Sequence, residues 1–290
     1  MSVTRTLEVP AAVLTYDLHG PVPAVDGRPP LVLIAQPMGA AGFAALAAQL
    51  PDRTLVTYDP RGLGRSTRTD GRRDNDPDQQ ARDVHALIGE LGAGPVELFA
   101  SSGGAVTALA LVAGYPDDVT TLVAHEPPLL ALLPDAKAAF AAERATQDAY
   151  RTGGWGNGMA AFIAMTSWQG EFTTDYASRP LPDPAAFGLP AQDDGSRADP
   201  MLSGDSNAIT AYRPDFAALR SAPTRVVIAA GIESKDGLTW RTAQAAAAAL
   251  GEPLVEFPSH HGGFSGPEFG YPGQPEAFAD RLREVLGGAR

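Results

Sequence analysis

The sequence predicts an α/β fold in which a mostly parallel sheet is flanked by helices and interrupted by a helical insertion. Short apolar runs alternate with segments of helical spacing over residues 1–130 and again over 221–290, which we expect to form the core. The apolar runs Leu31–Ala35 and Val96–Ala100 are unbroken, as expected for strands buried on both faces. The alternation fails over 131–220, where we expect a helical lid.

The first part of the chain starts with two predicted strands, Thr4–Val9 and Ala12–Leu18, that form a hairpin turning near Pro10. Further along, Asp76 and Pro77 combine an N-cap residue with a proline at the first helical position, so a helix is expected to begin there. The other elements predicted in this part are a helix at Phe43–Leu50, a strand at Thr54–Tyr58, a helix at Gly104–Gly114 and a strand at Thr121–His125.

Residues 131–220 lack this order. Helical pieces at Ala136–Tyr150 and Gly158–Trp168 stand among loops rich in glycine, proline and aspartate, with a break at Gly153–Gly158. The alternation then returns, and it predicts a strand at Thr224–Ala230, a helix at Thr239–Leu250, a strand at Leu254–Phe257 and a helix at Pro267–Leu286.

One predicted strand is followed at once by two serines, two glycines and a helical pattern. A strand that turns sharply into a helix needs small residues two positions before and two positions after the residue at its apex. Ala100 and Gly104 satisfy this need for Ser102, whereas Phe99 would clash if Ser101 stood at the apex. The pattern therefore predicts Ser102 as a nucleophile raised above the sheet.

A second turn, Asp59–Ser66, has the letters DPRGLGRS and follows an interior strand. It lacks the third glycine of a dinucleotide-binding fingerprint. We interpret it as a tight turn held by Asp59 and Arg61.

Four stretches, in this order, resemble the α/β-hydrolase family: Leu31–Gly39, Tyr58–Ser66, Phe99–Gly104 and Phe257–Phe264. The resemblance covers nearly all of the chain outside the expected lid, and it is closest to small actinobacterial-type members with a Ser-Ser-Gly-Gly elbow. It implies an α/β-hydrolase fold and a catalytic set in the chain order serine, carboxylate, histidine. It implies no cofactor and no metal ion.

A serine hydroxyl needs a base to accept its proton, and the chain has five histidines for that role. Our choice is His261, because Gly262 and Gly263 let its loop fold tightly over Ser102 and because it matches the family's His-Gly-Gly. His260 is the alternative. The remaining histidines are expected to be structural: His19, His85 and His125.

The carboxylate that orients the base has three candidates. The family's usual position, after the predicted strand Thr224–Ala230, is occupied by a serine, although Glu233 and Asp236 flank it. Glu126 stands at the tip of another predicted strand, where some relatives carry their acid. A carboxylate beside an apolar strand needs a partner, and an imidazolium is a good one. We favour Glu126, and the other two remain open.

A tetrahedral intermediate also needs hydrogen-bond donors for its oxyanion. We expect one to be the N–H of Gly103, at a helix N-terminus. The loop after Leu31–Ala35 should supply another. Pro37 has no N–H, so the Met38 N–H is the candidate there, with the Gln36 side chain as an alternative.

Composition limits the partners. The formal net charge of −12 disfavours nucleic acid and anionic membranes, so the expected partner is a small-molecule substrate. The chain has no cysteine, and its first residues lack the pattern of a secretory signal, so we expect a cytoplasmic protein. The oligomeric state is open, with a dimer as one option.

These features predict a serine hydrolase that cleaves an ester or lactone of a small or medium apolar molecule. The same triad also supports cofactor-free perhydrolase or haloperoxidase chemistry, carbon–carbon bond hydrolysis, or a biosynthetic cyclisation. A relative that binds a ligand without turnover is the non-enzymatic alternative.

Overall fold

The computed structural model describes residues 2–267 and 271–288. Within them, nine strands form one sheet with the order β1-β2-β4-β3-β6-β7-β8-β9, and β5 pairs with β2. Their bounds are β1 Ser2–Val9, β2 Ala12–His19, β3 Leu31–Gln36, β4 Leu55–Tyr58, β5 Thr67–Arg68, β6 Val96–Ser102, β7 Val119–His125, β8 Arg225–Gly231 and β9 Val255–Phe257.

The sheet is parallel from β4 through β9, and only β2 makes antiparallel pairs, with β1, β4 and β5. All six residues of β3 are buried, which agrees with its unbroken apolar sequence. The expected N-terminal hairpin is present: Val9 pairs with Ala12 across a turn in which Ala11 has a positive φ of 60°. The predicted α/β architecture is confirmed.

Nine α-helices occur in the described residues: α1 Ala44–Ala48, α2 Pro77–Leu91, α3 Gly103–Gly114, α4 Ala136–Thr166, α5 Thr174–Ala177, α6 Asn207–Thr210, α7 Phe216–Ser221, α8 Leu238–Leu250 and α9 Pro275–Gly287. Helices α2, α3, α7 and α8 bury their apolar faces in one cluster with the sheet, while α1 and α9 do so in a second cluster built on alternate residues of the same strands. The sheet is therefore covered on both faces.

Helix α2 begins as the sequence predicted. The Asp76 side chain accepts hydrogen bonds from the backbone N–H groups of Asp78 (2.9 Å) and Gln79 (3.3 Å), and Pro77 occupies the first helical position. Gly92 ends the helix in the left-handed conformation.

The segment between β7 and β8 is described throughout and contains helices but no strand. The two predicted helical pieces are joined in one helix, α4, which is kinked at Gly154 (φ 81°) inside the expected break. Helix α7, at the end of the segment, packs through Leu219 into the same cluster as α3. Over residues 2–267 and 271–288, no helix combines the length and apolarity needed to cross a bilayer.

The last helix begins later than predicted. We expected it at Pro267, but α9 begins at Pro275. The backbone before it is used differently: Gly273 N–H donates to Ser265 O (3.0 Å) and Gln274 N–H donates to Gly263 O (2.8 Å). These bonds hold the loop that follows β9 and are incompatible with helix through this stretch. Residues 268–270 of the predicted helix lie outside the described residues.

The junction of β6 and α3 is packed against β3 without space for a side chain. A Cβ atom on Gly104 would lie 2.6 Å from Ala35 Cα and 2.8 Å from Ala35 N. Backbone atoms cannot move aside as a flexible side chain can. The glycine is therefore required by the close approach of the helix to the strand.

We predict that Gly104→Ala lowers the free energy of unfolding by about 1–3 kcal/mol, because the added methyl overpacks this junction. Urea denaturation followed by circular dichroism measures the change. Gly89→Ala in α2 is the matched control, since a Cβ there meets nothing within 4 Å, and it should stabilise the protein by about 0.5–1 kcal/mol. Equal effects of the two substitutions would contradict the packing argument.

Candidate active site

Ser102 stands at the apex of the turn between β6 and α3. Its φ of 55° and ψ of −129° are unfavourable for a residue with a side chain, and such strain is held only where the surroundings impose it. Ala100 and Gly104 are both buried beside it. The sequence argument that placed Ser102 rather than Ser101 at the apex agrees with this geometry.

Ser102 lines a cavity of about 500 Å³ at the carboxyl ends of the central strands. One wall is formed by the end of β3, the first turn of α3 and the loop after β9. Helices α4 and α6 supply residues to the opposite part of the lining. Its apolar lining includes Leu130, Phe162, Met165, Ile209 and Leu238.

The Glu126 carboxylate is fully buried directly after β7, at a positive φ of 48°. Three elements converge on it. Gly231 N–H, at the end of β8, donates to Oε1 (2.8 Å), and the Thr239 hydroxyl of α8 donates to Oε2 (2.5 Å). Nδ1 of His261, in the loop after β9, lies 2.6 Å from Oε2.

Burial alone would raise the pKa of Glu126. The hydrogen bond and positive charge of His261, together with the hydrogen bond from the Thr239 hydroxyl, outweigh burial and hold that pKa below its ordinary value. The carboxylate is therefore ionised at neutral pH and suited to hold an imidazolium.

His261 also lines the cavity that contains Ser102, and its side chain is 42% exposed. The neighbouring His260 also lines the cavity, but its ring nitrogens are engaged by its own loop: Nδ1 accepts from Gly262 N–H (3.1 Å) and Nε2 lies 3.2 Å from Pro272 O. The structure thus brings Ser102 and His261 to one cavity and joins His261 to Glu126.

The two other candidate acids are placed differently. Glu233 is exposed, lines the cavity rim and accepts a hydrogen bond from Gln274 Nε2 (3.1 Å). Asp236 is also exposed, at a positive φ of 63°. Of the three carboxylates considered from the sequence, Glu126 is the one hydrogen-bonded to His261.

The expected oxyanion donors come from the start of α3 and from the loop after β3. Gly103 is the first residue of α3 and lines the cavity, as do Gln36 and Pro37. Met38 packs its side chain toward the cluster shared by α1 and α9. The Gln36 carboxamide is buried, and neither its nitrogen nor its oxygen has a hydrogen-bond partner among the described residues.

Comparison with known proteins agrees with this geometry. The family model for the alpha/beta hydrolase fold matches residues 29–167. An uncharacterized hydrolase of Bacillus subtilis (strain 168), YraK, is 28% identical over 288 residues, which is 97% of this chain and 95% of that protein. The chain is a hydrolase with the α/β-hydrolase fold.

Two solved structures share this fold over their full length. The enol-lactonase from Burkholderia xenovorans LB400 superposes with a TM-score of 0.61 at 18% identity, covering 98% of this hydrolase and 100% of that chain. A thermophilic esterase from Thermogutta terrifontis superposes with a TM-score of 0.61 at 21% identity, covering 99% and 98%.

The hydrolase contains a serine–histidine contact that sequence reasoning missed. Ser101 Oγ lies 3.3 Å from His125 Nδ1, and both side chains are buried. Burial lowers the pKa of His125 to about 4, so its imidazole is neutral at pH 7. The only sequence signal for this pair was the position of His125 at a strand end; nothing in the spacing indicated its partner. The rings that surround His125 are those of Phe99, Phe257, Phe264 and Phe278.

The turn after β4 fixes the loop that contains Met38. Asp59 accepts hydrogen bonds from Ala40 N–H (2.7 Å) and Arg65 N–H (3.0 Å), and it forms an ion pair with the Arg65 side chain. Arg61 instead pairs with the buried Asp83 of α2. Asp59 and Arg61 therefore both hold this turn, as expected, but through separate partners.

We predict that Glu126→Gln destabilises the hydrolase at pH 7 and that this loss shrinks in acid. The pKa of Glu126 is lowered on folding, so its stabilising contribution is complete above the ordinary value of 4.5 and is lost as the pH falls below it. Urea unfolding of both proteins between pH 7 and pH 3 measures the gap.

Asp236→Asn is the control for that experiment, because the Asp236 side chain is exposed to solvent, unlike that of Glu126. It should differ little from the wild type across the pH range. A gap between Glu126→Gln and the wild type that stays constant from pH 7 to pH 3 would contradict the prediction.

Proposed function

We propose that this hydrolase cleaves an ester or lactone with Ser102 as nucleophile, His261 as base and Glu126 as the orienting acid. The observation that carries the proposal is the 2.6 Å contact between His261 Nδ1 and Glu126 Oε2. Because Nδ1 is engaged there, Nε2 is the nitrogen left to serve the cavity, where Ser102 presents its hydroxyl.

The reaction follows from these roles. Ser102 Oγ bonds to the carbonyl carbon while its proton passes to His261 Nε2, and the Glu126 carboxylate stabilises the imidazolium that forms. The tetrahedral intermediate expels the alkoxide, which takes the proton from His261 and leaves an acyl-serine. Water then repeats the sequence: His261 accepts its proton, the hydroxide adds to the acyl carbon, and Ser102 departs with the proton returned.

The oxyanion is assigned to the N–H groups of Gly103 and Met38. Gly103 lies at the N-terminus of α3, where the helix dipole favours negative charge. Met38 follows Pro37, which has no N–H, in the loop that Asp59 anchors through Ala40. Donors fixed in this way stabilise charge as it develops without reorganising.

The substrate is assigned by the cavity. Its volume of about 500 Å³ suits a small or medium molecule, and its largely apolar lining favours an apolar body. Residues of α4 and α6 in this lining support 131–220 as a lid over the core formed by 1–130 and 221–290. That one solved relative is named an enol-lactonase and another an esterase is consistent with this choice of bond.

We predict that Ser102→Ala abolishes both hydrolysis of p-nitrophenyl esters and labelling by a fluorophosphonate probe, since the attacking oxygen is removed. Ser101→Ala is the matched control: it deletes the adjacent hydroxyl, which is bonded to His125 inside the core, and should leave labelling intact. Labelling that persists in Ser102→Ala would exclude Ser102 as nucleophile.

Replacing each candidate acid in turn tests the role of Glu126. We expect Glu126→Gln to lower kcat by roughly 10³–10⁴-fold, because the histidine loses the group that orients it and stabilises its positive charge. Glu233→Gln and Asp236→Asn should retain most of the wild-type kcat. If Glu233→Gln or Asp236→Asn shows the large loss instead, the acid has been assigned to the wrong strand end.

A further inference from the structure

Helix α4 presents a polar strip to the cavity. Glu143, Thr146 and Gln147 are spaced three and four residues apart, so they share one face of the helix, and all three line the cavity that contains Ser102. Elsewhere the cavity lining is largely apolar. A polar strip at this place is available to a substrate bound at Ser102.

Two members of the strip already have partners within the protein. The Thr146 hydroxyl donates to Ala142 O in the preceding turn (3.2 Å), and Gln147 Nε2 donates to Asn207 Oδ1 of α6 (2.5 Å). Their polar atoms are thus engaged in holding α4 to itself and to α6. Glu143 differs from them in how few partners it has.

The Glu143 carboxylate has few donors. Across residues 2–267 and 271–288 it forms no ion pair with a lysine, arginine or histidine. The Thr210 hydroxyl is within its reach, but that single proton is shared with Asn207 O, to which it donates at 3.2 Å. Burial raises the pKa of Glu143 above its ordinary value, in spite of Thr210 and the charge of Arg144.

A half-buried carboxylate with so few donors of its own is unfavourable in the empty protein. A bound molecule that brings a donor to it would relieve this cost, and a molecule without one would increase it by displacing water. The same carboxylate therefore both favours one class of substrate and disfavours another.

We infer that the substrate is an ester or lactone whose apolar body carries a hydrogen-bond donor, a hydroxyl or an ammonium group, and that Glu143 binds this donor. The inference rests on the proposed function, because Ser102 defines the end of the cavity where the reacting carbonyl lies. Glu143 is assigned a binding role on the α4 side of the cavity, away from the bond that is cleaved.

The test compares matched substrates. Esters of p-nitrophenol with unbranched acyl chains of four to eight carbons are assayed beside their ω-hydroxy and ω-amino analogues, with spontaneous hydrolysis subtracted. We expect the wild type to prefer a hydroxy or amino ester over its plain counterpart by about 10-fold or more in kcat/KM at one or more chain lengths, as a directed hydrogen bond allows.

Two variants assign the preference to Glu143. Glu143→Leu should lose it and favour the plain ester. Glu143→Gln, which keeps the shape and one acceptor oxygen, should retain part of a preference for hydroxyl but lose a preference for ammonium. Asp148→Asn is the control, since Asp148 lies on the exposed side of the same helix.

Two outcomes would overturn the inference: a wild type with no preference at any chain length, or the same preference in the wild type, Glu143→Leu and Glu143→Gln. Neither affects the proposed function, which is tested separately by Ser102→Ala and by the variants of the candidate acids. If Ser102 is essential and the preference is unchanged by both variants, the carboxylate is solvated by cavity water and the substrate lacks the donor.

Discussion

The candidate active site depends on one buried charge. Glu126 lies fully buried after β7 and accepts hydrogen bonds from the end of β8, from α8 and from the loop after β9. An unpaired carboxylate in this position would be strongly unfavourable, so the three elements are held together by the need to satisfy it. The hydrogen bond that helps to keep the Glu126 carboxylate ionised therefore also fixes the position of His261. Stability and the geometry of the proposed triad are coupled through a single side chain.

The proposed nucleophile, Ser102, is held by an independent constraint, one of packing. The first turn of α3 approaches β3 so closely that Gly104 has no room for a Cβ atom, and this contact fixes the strained backbone of Ser102. The turn after β4 contributes from the other side, because Asp59 binds the backbone of Ala40 and so fixes the loop with the expected oxyanion donor. Rigid backbone thus surrounds Ser102, as preorganised catalysis requires.

The alternation of apolar runs and helical patterns was enough to predict the fold. The apex serine could be predicted because the small residues that the turn requires lie within two positions of Ser102 in the sequence. The acid was harder, since Glu126, Glu233 and Asp236 all follow strand ends and only the packing of β7, β8 and α8 distinguishes them. The late start of α9 has a similar origin, because Gly273 and Gln274 form backbone hydrogen bonds with the loop that contains His261. Helix propensity depends on local sequence and cannot predict such a contact between segments. The contact between Ser101 and His125 was equally hard to predict, because it forms only when β6 and β7 lie side by side in the sheet.

The two sides of the cavity differ in how freely their residues can be replaced. The core side is built from strand ends and the start of α3, where burial and backbone contacts allow few substitutions. The side supplied by α4 is a helix face, on which Glu143 can be replaced without disturbing the sheet, because its neighbours Ala139, Ala142 and Ala149 carry the packing. Selection for a new substrate would therefore act on α4 with little cost in stability. An acceptor retained on that face with only the shared Thr210 hydroxyl as a donor is best explained by what the cavity binds.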